Sequence, residues 1–304
     1  MRIPLEHVGR ELMNAYFKDK VAVVTGAASG FGLAMSRRLL RDGVKAVFMA
    51  DRDEDEAVRR AGELDAVFLG AARAVSVDVT REEKVLDLLR QAVDFAGHLD
   101  FVFNNAGRPM TRPTEEISFA EWRKLVDLNL MGVVYGTCGA LPLMLAQGSG
   151  HIVNMASAGG LLPPPYQAAY AATKSAIITM TRCLHYEYRP RGLDFSVICP
   201  SNVRTPIFLR EAEELPEFQN LSAAERQVLM DKITPPDAVD LDKAVECIFS
   251  GLENKELEIV FPQTVRELDA LFHMDRSAFD RWAFALGEER RQAFAADQAE
   301  LRKK

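Results

Sequence analysis

Residues 20–32 read KVAVVTGAASGFG, and this stretch decides the fold. Residues 20–25 are an apolar, β-branched run of strand length. The run breaks at Gly26, and after Gly30 and Gly32 the chain continues as LAMSRRLLRDG, where Leu33, Met35, Leu39 and Leu40 fall at helical spacing. A strand, a glycine loop and a helix in that order let backbone approach a pyrophosphate and turn the free N–H groups of a helix N-terminus towards it. The glycine spacing differs from the dinucleotide fingerprint of two glycines two apart followed by a third. Taken alone, the loop reads equally well as a plain tight turn.

The alternation repeats outward from there. KAVFMAD is a second strand ending at Asp51, whose carboxylate is placed to accept hydrogen bonds from adenosine ribose hydroxyls and to repel a 2′-phosphate. That points to NAD rather than NADP, while Arg52 beside it could pair with a phosphate. Residues 53–65 read as a charged helix, 74–77 as a third strand, 81–96 as a helix and 99–103 as a fourth strand running into Asn104-Asn105-Ala106-Gly107. Asp78 either receives an adenine amino group or begins a turn. A long helix over 119–145 carries Asn129 in its apolar middle, where an unsatisfied amide is costly, so a specific partner is expected. Then come a strand over 151–157, a helix through Tyr170 to Tyr188, a strand over 193–200, an irregular stretch over 206–236, a helix over 240–252 and a strand over 257–262. Seven strands alternating with helices predict an α/β fold, a doubly wound, Rossmann-like, seven-stranded parallel sheet that binds ligands at the strands' carboxyl ends. One catalytic domain is expected over 1–262, followed by a C-terminal helical extension over 263–304.

Chemistry enters with Ser157, Tyr170 and Lys174. The last two are one helical turn apart and share a face. A phenol titrates near about 10, and a neighbouring ammonium lowers that value, which makes a tunable acid/base. Ser157, at a strand end, could hydrogen-bond the same substrate oxygen. The bland alternative is a core-edge aromatic with a lysine snorkelling past it.

The motifs TGAASGFG at 25–32, Asp78, NNAG at 104–107, Asn129, Ser157 and Tyr170-Ala-Ala-Thr-Lys174 together resemble the short-chain dehydrogenase/reductase family, over roughly residues 18–262. The resemblance implies a tetrad of Asn129, Ser157, Tyr170 and Lys174. In it Lys174 also holds the nicotinamide ribose, and Asn129 binds a water of a proton relay. It further implies cofactor contacts at Gly26, Ser29, Gly30, Phe31, Gly32, Asp51, Arg52, Asp78, Val79, Asn105, Ala106, Gly107, Pro200, Val203 and Thr205, besides Tyr170 and Lys174. The family's Pro-Gly after the sixth strand is Pro200-Ser201 here, which loosens the expectation for nicotinamide placement by that loop. More finely, this variant and the tail look like a subgroup of bacterial dehydrogenases that oxidise benzylic alcohols of lignin-derived aryl ethers.

Met110, Leu161, Tyr166, Asn202 and Phe208, with Leu162, Val203, Ile207 and Leu209, come from loops expected beside the tetrad. Their apolar character suggests a bulky aromatic or alicyclic secondary alcohol, or its ketone, and residues 206–236 read as a lid. Competing classes on the same fold are a dehydratase or epimerase, for which residues 211–217 offer four glutamates, and a non-catalytic nucleotide sensor. A net charge of −7 argues against nucleic acid and anionic membrane as partners. Five scattered His and four Cys without paired spacing argue against a metal site and for a reducing compartment, the cytoplasm. Residues 1–17 carry Glu6, Arg10 and Glu11 and read as a short leading helix rather than a signal peptide or membrane span. The apolar surplus on the helices through Asn129 and Tyr170, which the family commonly uses as an interface, predicts a homodimer or homotetramer. The tail's Phe272, Phe279, Trp282, Phe284 and Phe294 need burial, and a place near the substrate entrance is expected.

Overall fold

In the computed structural model, which describes residues 15–205 and 221–301, the strand that opens the sequence argument lies in the middle of the sheet. β1 (Val21–Thr25) is buried throughout, because β2 (Ala46–Asp51) pairs with one of its edges and β4 (Phe101–Asn104) with the other. Beyond them lie β3 (Ala72–Ser76) on one side and β5 (Gly150–Met155), β6 (Leu193–Pro200) and β7 (Glu258–Phe261) on the other. All pairings are parallel, in the order β3-β2-β1-β4-β5-β6-β7. The order reverses between β1 and β4, and that switch point opens a crevice at the strands' carboxyl ends.

Both faces of the sheet are covered, which is why its strands read as continuous apolar runs rather than alternating ones. Ala22 and Val24 point into one layer with Met35 and Leu39 of α1 (Gly30–Arg41), Leu64 of α2 (Glu54–Phe68) and Ile248 and Phe249 of α8 (Leu241–Glu253). Val21 and Val23 point into the other, with Leu88 and Leu89 of α3 (Glu82–Ala96) and Ala140 and Met144 of the long helix α4 (Phe119–Gln147). α5 (Ala158–Leu161) and α6 (Ala168–Tyr188) complete that second layer beside β5 and β6. By length and composition α4 resembles a membrane span, but here it packs on β4, β5 and α3 as a core helix.

Three expectations are corrected. Residues 15–19 form a turn whose Phe17 is fully buried against Phe101 and Phe249, and the rest of the expected leading helix lies outside the described residues. α4 is not uniform, because Asp127–Met131 is a π segment centred on Asn129. Part of the stretch expected to be irregular is α7 (Ala223–Ile233), started by a capping box between Ser222 and Glu225; residues 206–220 of it lie outside the described residues. The chain ends in α9 (Gln263–Met274) and α10 (Arg276–Leu301), with Phe279 buried against Ala158, Leu162 and Val265.

Candidate active site

At the carboxyl end of β1 the backbone turns through Gly26 at φ +66°, a left-handed conformation that favours glycine. Gly32 is equally constrained, since a Cβ there would stand 2.1 Å from the Gly26 carbonyl oxygen. The Thr25 hydroxyl accepts from Asn105 N at 2.9 Å and Ala106 N at 3.1 Å and donates to Phe103 O, while Asn105 Nδ2 donates to Thr25 O at 2.8 Å. These bonds lock β1 to β4 across the switch point. Thr25 was not among the expected site residues; a hydroxyl residue closing an apolar strand just before a glycine was the available signal. Ser29 is the N-cap residue of α1 and makes no side-chain cap bond, so the helix's first amides are not taken up by it.

Asp51 is held over this loop: Oδ2 accepts from Ala28 N at 3.0 Å and Oδ1 from Asp53 N at 3.2 Å. Asp78 accepts from Thr80 N and Oγ1 at 3.0 and 2.8 Å, so it does build a turn. It also lines a cavity of about 540 Å³ with Arg52, Glu54, Ser76, Arg81, Glu83 and Lys84. Val79 is buried, close under Gly132 of α4, and Phe31 packs partly buried on the first core layer. After β6, Ser201 N donates to Phe261 O, Asn202 O accepts from Val239 N and Val203 turns into the core. Thr205, also buried, comes over the glycine loop, with its Cβ 3.8 Å from where a Cβ of Gly30 would be.

The four residues of the expected tetrad come from α4, the end of β5 and α6. Asn129 is fully buried, and its amide finds the partner the sequence called for in the backbone of Arg108: Oδ1 accepts from Arg108 N and Nδ2 donates to Arg108 O, each at 2.9 Å. Nδ2 also reaches Thr173 Oγ1 at 3.4 Å. A Cβ at Gly107 would stand 3.1 Å from Asn129 Oδ1 and 3.5 Å from Lys174 Nζ, so this glycine keeps a space between them. Lys174 is buried and donates from Nζ to Met155 O at 2.8 Å. Burial pulls its pKa down to about 8.

Ser157 Oγ accepts from Gly159 N at 3.1 Å as the cap of α5, which leaves its own proton to donate. Its hydroxyl and the Tyr170 ring flank Gly159, where a Cβ would stand 3.5 Å from both Ser157 Oγ and Tyr170 Cε1, and the hydroxyl favours the phenolate. The expected lowering of the Tyr170 pKa by Lys174 is not found: burial of the ring raises it, and the Ser157 hydroxyl opposes that only in part. The physical reason is that the ammonium, 5.8 Å from the ring centroid, is itself held by Met155 O and disfavoured by burial. A neutral phenol in this setting is a ready proton donor.

On the expected substrate side, Met110 does not stand open. It is buried in a cluster with Ile117, Leu125 and Ala169, against which Trp122 and Tyr170 pack. Leu161 is partly exposed beside the site. Tyr166 sits at φ +66°, with its carbonyl accepting from Arg112 N at 2.8 Å and its ring 5.2 Å from that of Phe294. Phe208, with Ile207, Leu209 and the glutamates of 211–217, lies outside the described residues. Among the described residues no group of three or more His, Cys, Asp or Glu is placed to hold a metal ion.

The family model described as short chain dehydrogenase matches residues 20–215. An uncharacterized oxidoreductase of Staphylococcus epidermidis is 33% identical over 230 residues, which cover 75% of this chain and 97% of that protein. Among solved structures, a short chain dehydrogenase/reductase from Burkholderia phymatum in complex with NAD superposes with a TM-score of 0.76 at 30% identity, covering 86% of this chain and 95% of that one. A 3-ketoacyl-(acyl-carrier-protein) reductase from Brucella melitensis complexed with NADH gives a TM-score of 0.66 at 28% identity, covering 80% and 96%.

Proposed function

Because the chain belongs to the short chain dehydrogenase family, and so is an oxidoreductase with a nicotinamide cofactor, we propose that it interconverts a secondary alcohol and a ketone on a bulky apolar substrate, using NAD. The observation that carries this reading is the convergence of Ser157 and Tyr170 on Gly159, where a Cβ would stand 3.5 Å from both Ser157 Oγ and Tyr170 Cε1, with the buried Lys174 one helical turn from Tyr170. In the oxidising direction Tyr170 accepts the hydroxyl proton, and in the reducing direction it returns it to the carbonyl oxygen. Ser157 donates to the same oxygen as charge develops there. NAD, when bound, supplies the acceptor for the hydride leaving the alcohol carbon, and in reduced form its donor.

The chain's residues fit that cofactor. The turn at Gly26 and Gly32 and the uncapped start of α1 suit a pyrophosphate, and the space at Gly107 suits a ribose between Asn129 and Lys174. Asn129 keeps that space open by holding Arg108, and Thr205 stands ready for the nicotinamide end. NAD is favoured over NADP by Asp51 and by the balance of charge next to it. In the adjoining cavity Arg52, Arg81 and Lys84 are matched by Glu54, Asp78 and Glu83, so a 2′-phosphate would meet no net positive charge. We further propose a homo-oligomer in the cytoplasm, in keeping with the free thiols of Cys138, Cys183, Cys199 and Cys247.

The test is turnover of aromatic, alicyclic and short-chain secondary alcohols with NAD and with NADP, followed at the nicotinamide absorbance. Preference for NAD that narrows in Asp51→Ala supports the cofactor assignment. Equal use of NADP by the unaltered protein refutes it, and no turnover of any secondary alcohol or ketone refutes the reaction.

A further inference from the structure

The segment between Ser157 and Tyr170 has little regular structure of its own after α5, and three consecutive prolines, Pro163 to Pro165, leave it without backbone donors there. Its position is therefore set by what grips it. On the inner side Arg112 N donates to Tyr166 O, and Gln167 Nε2 donates to Thr111 Oγ1, each at 2.8 Å. On the outer side the grip comes from α10. Arg290 Nη1 donates to Pro165 O at 2.5 Å, a Cβ at Gly287 would stand 3.4 Å from the Pro165 ring, and the Phe294 ring lies 5.2 Å from that of Tyr166 at 32°.

These contacts are separate from the apolar anchor of the helix. Phe279, packed on Ala158 and Leu162, lies roughly four turns before Phe294. α10 thus runs along the loop from its start to its end. Tyr166 at φ +66° is in a conformation that side-chain-bearing residues rarely adopt and that persists only where surrounding structure imposes it. Arg290 is half-buried, so its bond to Pro165 O is sheltered from bulk water.

We propose that α10 is a specificity element: Arg290 and Phe294 are positioning residues that hold residues 162–167 against Thr111 and Arg112, and thereby set how large a substrate reaches Tyr170. This rests on the alcohol–ketone reaction proposed above. A helix that only covered apolar surface would need Phe279 and Trp282 but neither a guanidinium on a proline carbonyl nor a ring on a strained tyrosine.

The test uses the full chain carrying Arg290→Gln, Arg290→Lys or Phe294→Ala, each checked for unaltered circular dichroism and NAD affinity. Two readouts are taken: amide hydrogen exchange of the peptide spanning 158–170, and kcat/KM for 1-phenylethanol relative to 2-butanol. Arg290→Gln and Phe294→Ala are expected to speed exchange in the loop and to shift the ratio by about tenfold through the KM of the larger alcohol, a size of effect usual for reshaped apolar pockets. Arg290→Lys, which keeps one donor for Pro165 O, is expected to stay close to the parent. Unchanged loop exchange, or equal loss on both alcohols, overturns the proposal. A parent protein inactive on both alcohols and on their ketones overturns the reaction class instead, and loop exchange then decides whether α10 holds the loop.

Discussion

Burial disfavours the ionised forms of both Tyr170 and Lys174: it raises the phenol and pulls the ammonium down to about 8. Oxidation of an alcohol needs the phenolate, so its kcat/KM should climb as pH rises into the alkaline range, while reduction, which needs the phenol, should hold and then fall. A flat profile in both directions would remove Tyr170 from the proton transfer. Tyr170→Phe should cut turnover by about 100-fold or more and leave NAD affinity intact, the scale expected for a lost general acid/base; turnover and a fluorescence titration with NAD measure the two. A second buried titratable residue, His151, lies far from this chemistry. Its Nδ1 meets Tyr16 OH at 2.9 Å, and its Nε2 meets Ser196 Oγ at 2.9 Å, whose own proton goes to Glu256 O. The ring therefore accepts at Nδ1, donates at Nε2 and is neutral. Burial pulls its pKa to about 3 against 6.5 for the free side chain. Between those values the unfolded chain binds the extra proton, so this contribution to stability is complete above about pH 6.5 and is lost as pH falls towards 3. Urea unfolding of the parent and of His151→Gln across pH 4 to 7 checks this, with a shallower dependence expected in the variant and an identical one counting against it.

At the scale of elements, the packing of α4 on β4 turns on Gly136. A Cβ there would stand 1.9 Å from Asn104 Oδ1, and the Asn104 amide is held from its other end by Thr137 Oγ1 at 3.1 Å and Asn154 Oδ1 at 2.9 Å. Alanine raises helix propensity by about 1 kcal/mol over glycine, but overpacking a buried network costs about 1–3 kcal/mol and more when hydrogen bonds break. The clash should win. Gly136→Ala is expected to lower the urea midpoint, and a stabilised variant would mean that α4 can shift away from β4 freely. The same helix shows what was legible in sequence. Its extent was readable from apolar runs, and Asn129 from the cost of burying an amide. The π segment was not, because it follows from how α4 meets the Arg108 backbone and Thr173. β4 starts at Phe101 rather than Leu99 because the Leu99 N–H goes to Gln147 Oε1, a tertiary contact. α7 was missed, since 206–236 read as irregular, although Ser222 and Glu225 form a capping box whose pattern the sequence displays. In the site, spacing identified Tyr170 and Lys174 as neighbours but not the sign of the Tyr170 shift, since burial is a property of the packed molecule. For the same reason Met110 read as a substrate wall when it is buried in the cluster against which Tyr170 packs.

At the scale of the whole molecule, the apolar surface that one chain leaves uncovered bears on assembly. Only 44% of the most apolar stretch of α4 is buried within the chain. Leu130 and Val134 of α4 and Met180 and Leu184 of α6 are only partly buried, on neighbouring helices of one layer. Water against such a face is unfavourable by about 25 cal/mol per Å² of apolar area, and a second copy presenting the same helices would cover it by twofold symmetry. The tail is not a rival cover for this face. Its buried Phe279 packs with α5 and Val265, while Phe294 lies on Tyr166. Removing α10 to test assembly would strip the cover from Leu162 and Val265 and confound the result, so a point substitution on α4 discriminates better. Val134→Glu puts a charge on the partly exposed face, where a lone chain tolerates it in water but a paired apolar interface would have to desolvate it. Light scattering should give a dimer or tetramer for the parent and a smaller assembly for Val134→Glu, with circular dichroism unchanged. A parent that runs as a single chain, or a variant that keeps the full mass, would show that α4 and α6 do not form the contact.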